Sequence, residues 1–102
     1  MTYIEPTPLV SVILLSYNYR EYLASAIDSV LSQTYANWEL IILENGSTDG
    51  SQEIVSRYAG DSRVRLIFLE DNIYPTRCLN RGIRAAKGEY ISFLLADDYY
   101  LP

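Results

Sequence analysis

Leu9-Val10-Ser11-Val12-Ile13-Leu14-Leu15 is a short apolar run rich in β-branched residues, closed by Ser16-Tyr17-Asn18. It is too brief for an ordinary helix. It is also continuous rather than alternating, the pattern of a strand covered on both faces of a parallel sheet. The period then changes. Between Glu21 and Gln33, Leu23, Ile27, Val30 and Leu31 fall on one helical face. Trp38 to Leu43 reads as a second strand, ended by Glu44-Asn45-Gly46-Ser47. Thr48 or Asp49 is placed to cap a second helix with Ile54, Val55, Tyr58 and Ala59 on its buried side.

The same alternation continues to the end. Arg63 to Leu69 is a third strand with enough alternation to sit near a sheet edge. Pro75 suits the first turn of a third helix, with Cys78, Leu79, Ile83 and Ala86 as its inner face. Lys87-Gly88 reads as a basic last turn followed by a C-cap glycine. Tyr90 to Leu95 is a fourth strand, apolar on both faces, with Asp97-Asp98 after it. Strands separated by helices imply right-handed βαβ units, hence an α/β fold with a parallel sheet and helices on both faces. In such sheets ligands bind beyond the carboxyl ends of the strands, where the strand order reverses.

At 102 residues the chain is one domain or part of one, with residues 1–8 as a tail and 9–102 as the folded unit. A hydrophobic content of 49% is ordinary for a globular protein and argues against disorder. The net charge of −5, with no basic stripe evident, argues against a nucleic-acid partner. A single cysteine excludes an internal disulfide and fits a reducing, cytoplasmic location. The absence of histidine removes histidine-based nucleophilic catalysis and histidine zinc sites. No apolar run is long enough to span a bilayer, and Met1 to Pro8 is unlike a signal peptide. Contact of a longer parent protein with the cytoplasmic membrane face would then use residues outside this chain.

Parallel strands put Ser16-Tyr17-Asn18, Glu44-Asn45 and Asp97-Asp98 on one side of the sheet. Each cluster taken singly also fits a turn or a helix cap. Together they suit a different task. Two adjacent carboxylates match a hard divalent cation bridging to a diphosphate, and the cation would stabilise charge on a departing diphosphate. Tyr17 beside Asn45 can hold a planar base by stacking and edge hydrogen bonds. No G-x-G-x-x-G follows the first strand, and no G-x-x-x-x-G-K-[ST] occurs.

Val10 to Asn18 resembles the VSVIIPTYN opening of inverting glycosyltransferase family 2. Leu31-Ser32-Gln33-Thr34-Tyr35 with Trp38-Glu39-Leu40-Ile41-Ile42, then Glu44 to Gly50 (against DDGSTDG), continue that resemblance. So do Asn80-Arg81-Gly82, Gly88 to Leu94, and Ala96-Asp97-Asp98 at the D-x-D position. It runs in order from about residue 9 to the end. It implies the nucleotide-sugar-binding, Rossmann-like half of a GT-A fold with strand order 3-2-1-4. It also implies a nucleoside-diphosphate sugar donor, a UDP-sugar foremost, with Mn²⁺ or Mg²⁺ and a glycan or other hydroxyl acceptor. Leu15, Ser16, Tyr17, Asn18, Glu44, Asn45 and Ala96 would line the donor nucleotide, and Asp97 and Asp98 would hold the metal.

Four positions depart from the family pattern. Leu15 replaces a proline, Asn45 an acid, Leu95 the first Asp of D-x-D, and Tyr74 a glycine that often follows Asn72. The amide at 45 leaves base preference open, since it donates as well as accepts. By the resemblance, acceptor site and general base lie beyond residue 102, so this chain alone is expected not to turn over. The fourth strand would then be a bare apolar edge, an invitation to a homo-oligomer. Two rivals remain. A sugar nucleotidyltransferase would usually show a Gly- and Lys/Arg-rich loop after strand one, which is lacking; a non-catalytic binding or assembly module is kept open by Asn45 and Leu95.

Overall fold

The computed structural model describes residues 8–69 and 75–95. The elements run β1 (Val10–Ser16), α1 (Arg20–Leu31), β2 (Trp38–Asn45), α2 (Ser51–Ser56), β3 (Val64–Leu69), α3 (Pro75–Ala85) and β4 (Tyr90–Leu95). The strands form one parallel sheet in the order β3-β2-β1-β4. The order reverses between β1 and β4, so the crevice for a ligand lies beyond their carboxyl ends. The expected α/β fold and its 3-2-1-4 order are thus observed, with partly exposed β3 at one edge.

β1 and β2 are continuous apolar runs because helices cover both of their faces. Leu23, Ala26, Ile27 and Val30 of α1 and Ile54 and Val55 of α2 pack on Val12, Leu14, Leu40 and Ile42. On the opposite face, Cys78 with Leu79, Ala85 and Ala86 covers Ile13, Ile41 and Leu43. Each fully buried Val, Leu or Ile among them contributes about 1.5–3 kcal/mol by leaving water. β1 and β2 also carry a serine–glutamate pair at each end of their ladder. Ser11 lies opposite Glu39, and Ser16 opposite Glu44. The Ser11 hydroxyl donates to Glu39 at 2.6 Å and the Ser16 hydroxyl to Glu44 at 2.8 Å. A one-residue slip would bury both carboxylates without these partners, so the polar ends pin the register that the apolar middle leaves less specified.

Several expectations need correction. β2 continues through Glu44 and Asn45, because the ladder to Ser16 and Leu69 holds them in strand geometry. Ala59 is exposed, since α2 ends at Ser56 and a turn carries the chain away from the sheet. The inner line of α3 passes through Gly82 and not Ile83, which is 41% exposed. The helix lies so close to the sheet that a Cβ at Gly82 would stand 2.8 Å from both Ile13 and Leu43 side chains. Gly88 is not a left-handed C-cap; positive φ among glycines occurs at Gly46 and Gly50. It lies instead against the start of β1, its N–H donating to Ser11 Oγ at 2.8 Å. β4 buries Leu94 but leaves Tyr90, Ile91 and Phe93 exposed, and its α1-side face includes the polar Ser92.

Candidate functional site

At the carboxyl ends of β1 and β2 the two following loops are fastened to each other by side chains. Glu44 is 1% exposed; its Oε2 accepts from the Ser16 hydroxyl and its Oε1 from the Ser47 N–H, both at 2.8 Å. Asn18 takes φ of 53°, a left-handed conformation that asparagine tolerates better than most residues. In it the Asn18 N–H donates to Ser47 Oγ, and Asn18 Oδ1 accepts from the Thr48 N–H, each at 2.9 Å. One further carboxylate spans two helix starts. Asp49 Oδ2 accepts from the Arg20 N–H, the first of α1, and Oδ1 from the N–H and hydroxyl of Ser51, the first of α2. Burial works against the charged form of Asp49. The Ser51 hydroxyl and the Arg20 and Ser51 amides outweigh it and hold the pKa below the usual aspartate value.

This clasp brings Ser16, Asn18 and Glu44 into one hydrogen-bonded group. Asn45 joins them in β2 at 2% exposure, and Leu15 is half-buried against the α3-side core. Tyr17 stands outside on the rim, 38% exposed. Asn18, Tyr19, Arg20, Glu21, Tyr22 and Asp49 border a neighbouring cavity of about 400 Å³. Register pairs Leu15 with Leu95, the last residue of β4; Ala96, Asp97 and Asp98 lie outside the described residues.

Sequence reasoning placed Asp49 as a helix cap but missed its second bond, to α1, and missed Ser47 as the bridge between loops. The Ser47 bridge depends on a contact across 29 residues that no local pattern encodes. Among the described residues no group of three or more histidine, cysteine or acidic side chains is poised to hold a metal. Both oxygens of Glu44 and both of Asp49 already accept hydrogen bonds that shape the loops.

The profile of "Glycosyl transferase family 2" matches residues 11–102. A putative teichuronic acid biosynthesis glycosyltransferase, TuaG of Bacillus subtilis, is 41% identical over 92 residues, covering 89% of this chain and 36% of the relative. The chain spans about a third of the length of this and two further curated relatives, and about a seventh of the longest ones it matches. Among solved structures, the mannosyltransferase PcManGT of Pyrobaculum calidifontis, in complex with GDP-Man and Mn²⁺, aligns with a TM-score of 0.86 at 26% identity. That alignment covers 93% of this chain and 29% of the other. S. aureus TarS in complex with UDP-GlcNAc aligns with a TM-score of 0.82 at 29% identity, covering 88% and 27%.

Proposed function

The chain belongs to glycosyl transferase family 2, and we propose that it is the donor half of an enzyme that moves a sugar from a nucleoside-diphosphate sugar to an acceptor hydroxyl. What carries this is the clasp: two loops beyond the strand ends, held rigid by Glu44, Asn18 and Asp49, with an aromatic ring left free on their rim. Such preorganisation is what a nucleotide pocket needs, since the ligand then need not order the loops itself.

In this proposal Tyr17 stacks on the base while Asn18 and Asn45 set the loop and strand end that face its edge. Leu15, Ser16 and Glu44 back the pocket, and Ala96 completes it. Asp97 and Asp98 hold Mn²⁺ or Mg²⁺. When bound, that cation supplies charge neutralisation for the departing diphosphate. UDP is the favoured nucleotide. The GDP-Man and Mn²⁺ of one structural neighbour and the UDP-GlcNAc of another support the ligand class.

We propose inversion by single displacement, with a general base on the acceptor hydroxyl supplied from outside these residues. The acceptor is proposed to be a growing polysaccharide or other glycan, supported by the teichuronic acid relative. A cytoplasmic location is consistent with the buried Cys78 thiol, which burial pushes up to about 11. No helix among the described residues is long and apolar enough to cross a membrane.

Calorimetric titration of UDP, GDP and dTDP with and without Mn²⁺ tests the donor assignment. Metal-dependent UDP binding that disappears in Asp97→Ala is expected. Binding that ignores both metal and Asp97→Ala would sink the metal assignment, and no binding by any nucleotide would favour a non-catalytic module. We also propose self-association through β4, the edge of the described sheet, where Tyr90, Ile91 and Phe93 are exposed. Light scattering is expected to give a mass above the monomer's 11.7 kDa; a monomer at high concentration refutes this.

A further inference from the structure

Net charge conceals a basic strip that α3 assembles. Arg77, Arg81 and Arg84 are spaced by four and three residues, which sets them within about 60° of one another around the helix. Cys78, Leu79, Ala85 and Ala86 pack on the sheet, with Gly82 closest to it, so the arginines stand on the outer, β3-ward flank. All three are exposed, and with Asn80 they border a shallow cavity of about 430 Å³. Among the described residues no carboxylate lies within ion-pair distance of any of them. Arg63 and Arg65 differ, since the first pairs with Asp61 and the second with Glu39. Residues 77–87 hold four of the chain's eight cationic side chains and no acidic one.

The strip also has a direction. A helix that connects two parallel strands runs against them. Gly82 rests on Ile13 and Leu43. Arg77 lies five residues earlier, about 7.5 Å nearer the helix start. It therefore stands about level with Leu15 and Asn45, at the strand ends where the clasp lies. Arg84 lies about 10 Å further down, toward the amino ends of the strands. The arginines thus lead from the height of the candidate donor site down the flank of the sheet.

We propose that this strip holds an acidic glycan, a polymer of sugars bearing carboxylate or phosphate groups, along a stretch remote from its reacting end. This rests on the reading of the acceptor as a glycan. Each guanidinium presents a planar fork that matches the paired oxygens of either anion. The Asn80 amide both donates and accepts, as sugar hydroxyls do, and so serves the neutral part of such a chain. The lining of the cavity selects among anionic ligands. It has no apolar side chain to enter a bilayer and no aromatic ring to stack on a base. The net charge of −5 also opposes a dense polyanion such as RNA, whose phosphates beyond the strip would meet repulsion. A glycan with sparser charges meets the arginines and is repelled little elsewhere.

The test is fluorescence anisotropy of end-labelled oligogalacturonate titrated with the chain, in the absence of nucleotide and metal. A labelled phosphomannan oligosaccharide and a neutral maltodextrin of similar length are run beside it. Saturable binding of an acidic glycan and not of maltodextrin, weakening with salt, is expected; the tighter of the two acidic glycans names the anion. Arg77→Gln, Arg81→Gln and Arg84→Gln should each weaken binding about threefold, and the triple variant about thirtyfold. Arg57→Gln, at an exposed arginine closing α2 on the other face of the sheet, should change nothing. Because all these positions are exposed, thermal midpoints should hold throughout. No binding of either acidic glycan, equal binding of maltodextrin, or full binding by the triple variant would overturn the proposal. So would tighter binding of single-stranded RNA or of phosphatidylglycerol vesicles at the same arginines. With no nucleotide present, such a failure beside a successful UDP titration would strike the strip and leave the donor reading standing.

Discussion

Gly88→Ala is expected to lower the unfolding free energy by about 3 kcal/mol, read as a drop in urea midpoint at constant m-value. The added Cβ would stand 2.7 Å from the Leu9 carbonyl oxygen and the Ser11 nitrogen and 2.5 Å from Ser11 Oγ. Two of those three atoms are backbone, one just before β1 and one in it, and cannot rotate away. Relief would have to come from pulling the 88–90 segment off the strand. That would also strain the bonds from Gly88 N–H to Ser11 Oγ and from Glu89 N–H to the Leu9 carbonyl. Gly82→Ala makes the useful comparison. Its Cβ meets side chains and no backbone among its nearest contacts: Ile13 Cγ2 and Leu43 Cδ1 at 2.8 Å and Ile13 Cδ1 at 3.4 Å. Alanine also recovers about 1 kcal/mol of helix propensity, so the net loss there should be about 1 kcal/mol. Equal losses at the two sites, or none at Gly88, would mean that the close approach to β1 is not what the glycine serves.

The contrast between those glycines also marks what the sequence made legible. Continuous apolar β1 and the Leu23-Ile27-Val30 stripe of α1 announce strand and helix by period alone, and the order of elements follows. Gly82 and Gly88 do not announce themselves, because a glycine can mark a turn, a cap or a close approach, and only the neighbouring backbone decides which. Ile83 was assigned inward because local period favours an apolar side chain, whereas the closeness of α3 to Ile13 and Leu43 favours no side chain at all. Glu44 and Asn45 read as a turn because they are polar; the serine that makes Glu44 tolerable in a strand lies 28 positions away. Ser16, Asn18 and Glu44 could be grouped from the sequence since parallel strands align their ends. That Ser47 and Asp49 tie the group together could not.

Glu39→Ala should destabilise the chain by about 3 kcal/mol, and the loss should be pH-dependent. Glu39 is 8% exposed at the amino end of β2, away from the clasp. Its Oε2 accepts from the Ser11 hydroxyl and the Lys87 N–H, both at 2.6 Å, and Arg65 stands 3.6 Å from Oε1. The Arg65 pair is long and partly exposed, so it contributes little. Most of the loss comes from stripping two donors of their acceptor where water does not readily replace it. Glu39→Gln can keep an amide oxygen in the place of Oε2, accepting from both Ser11 and Lys87, but it loses the charge that strengthens those bonds and sets an NH2 group beside Arg65, so about half the loss should remain. Burial raises the pKa of Glu39, but the Ser11 hydroxyl, the Lys87 amide and Arg65 together outweigh it and leave it below the ordinary glutamate value of 4.5. A lowered folded-state pKa gives stability that is fully present above 4.5 and lost as pH falls through the folded value. Urea unfolding of wild type and Glu39→Gln at neutral pH and at about pH 3 should therefore give curves that draw together in acid. A gap that stayed constant, or widened, would show that the Glu39 charge is not what ties β1, β2 and the segment after α3 together.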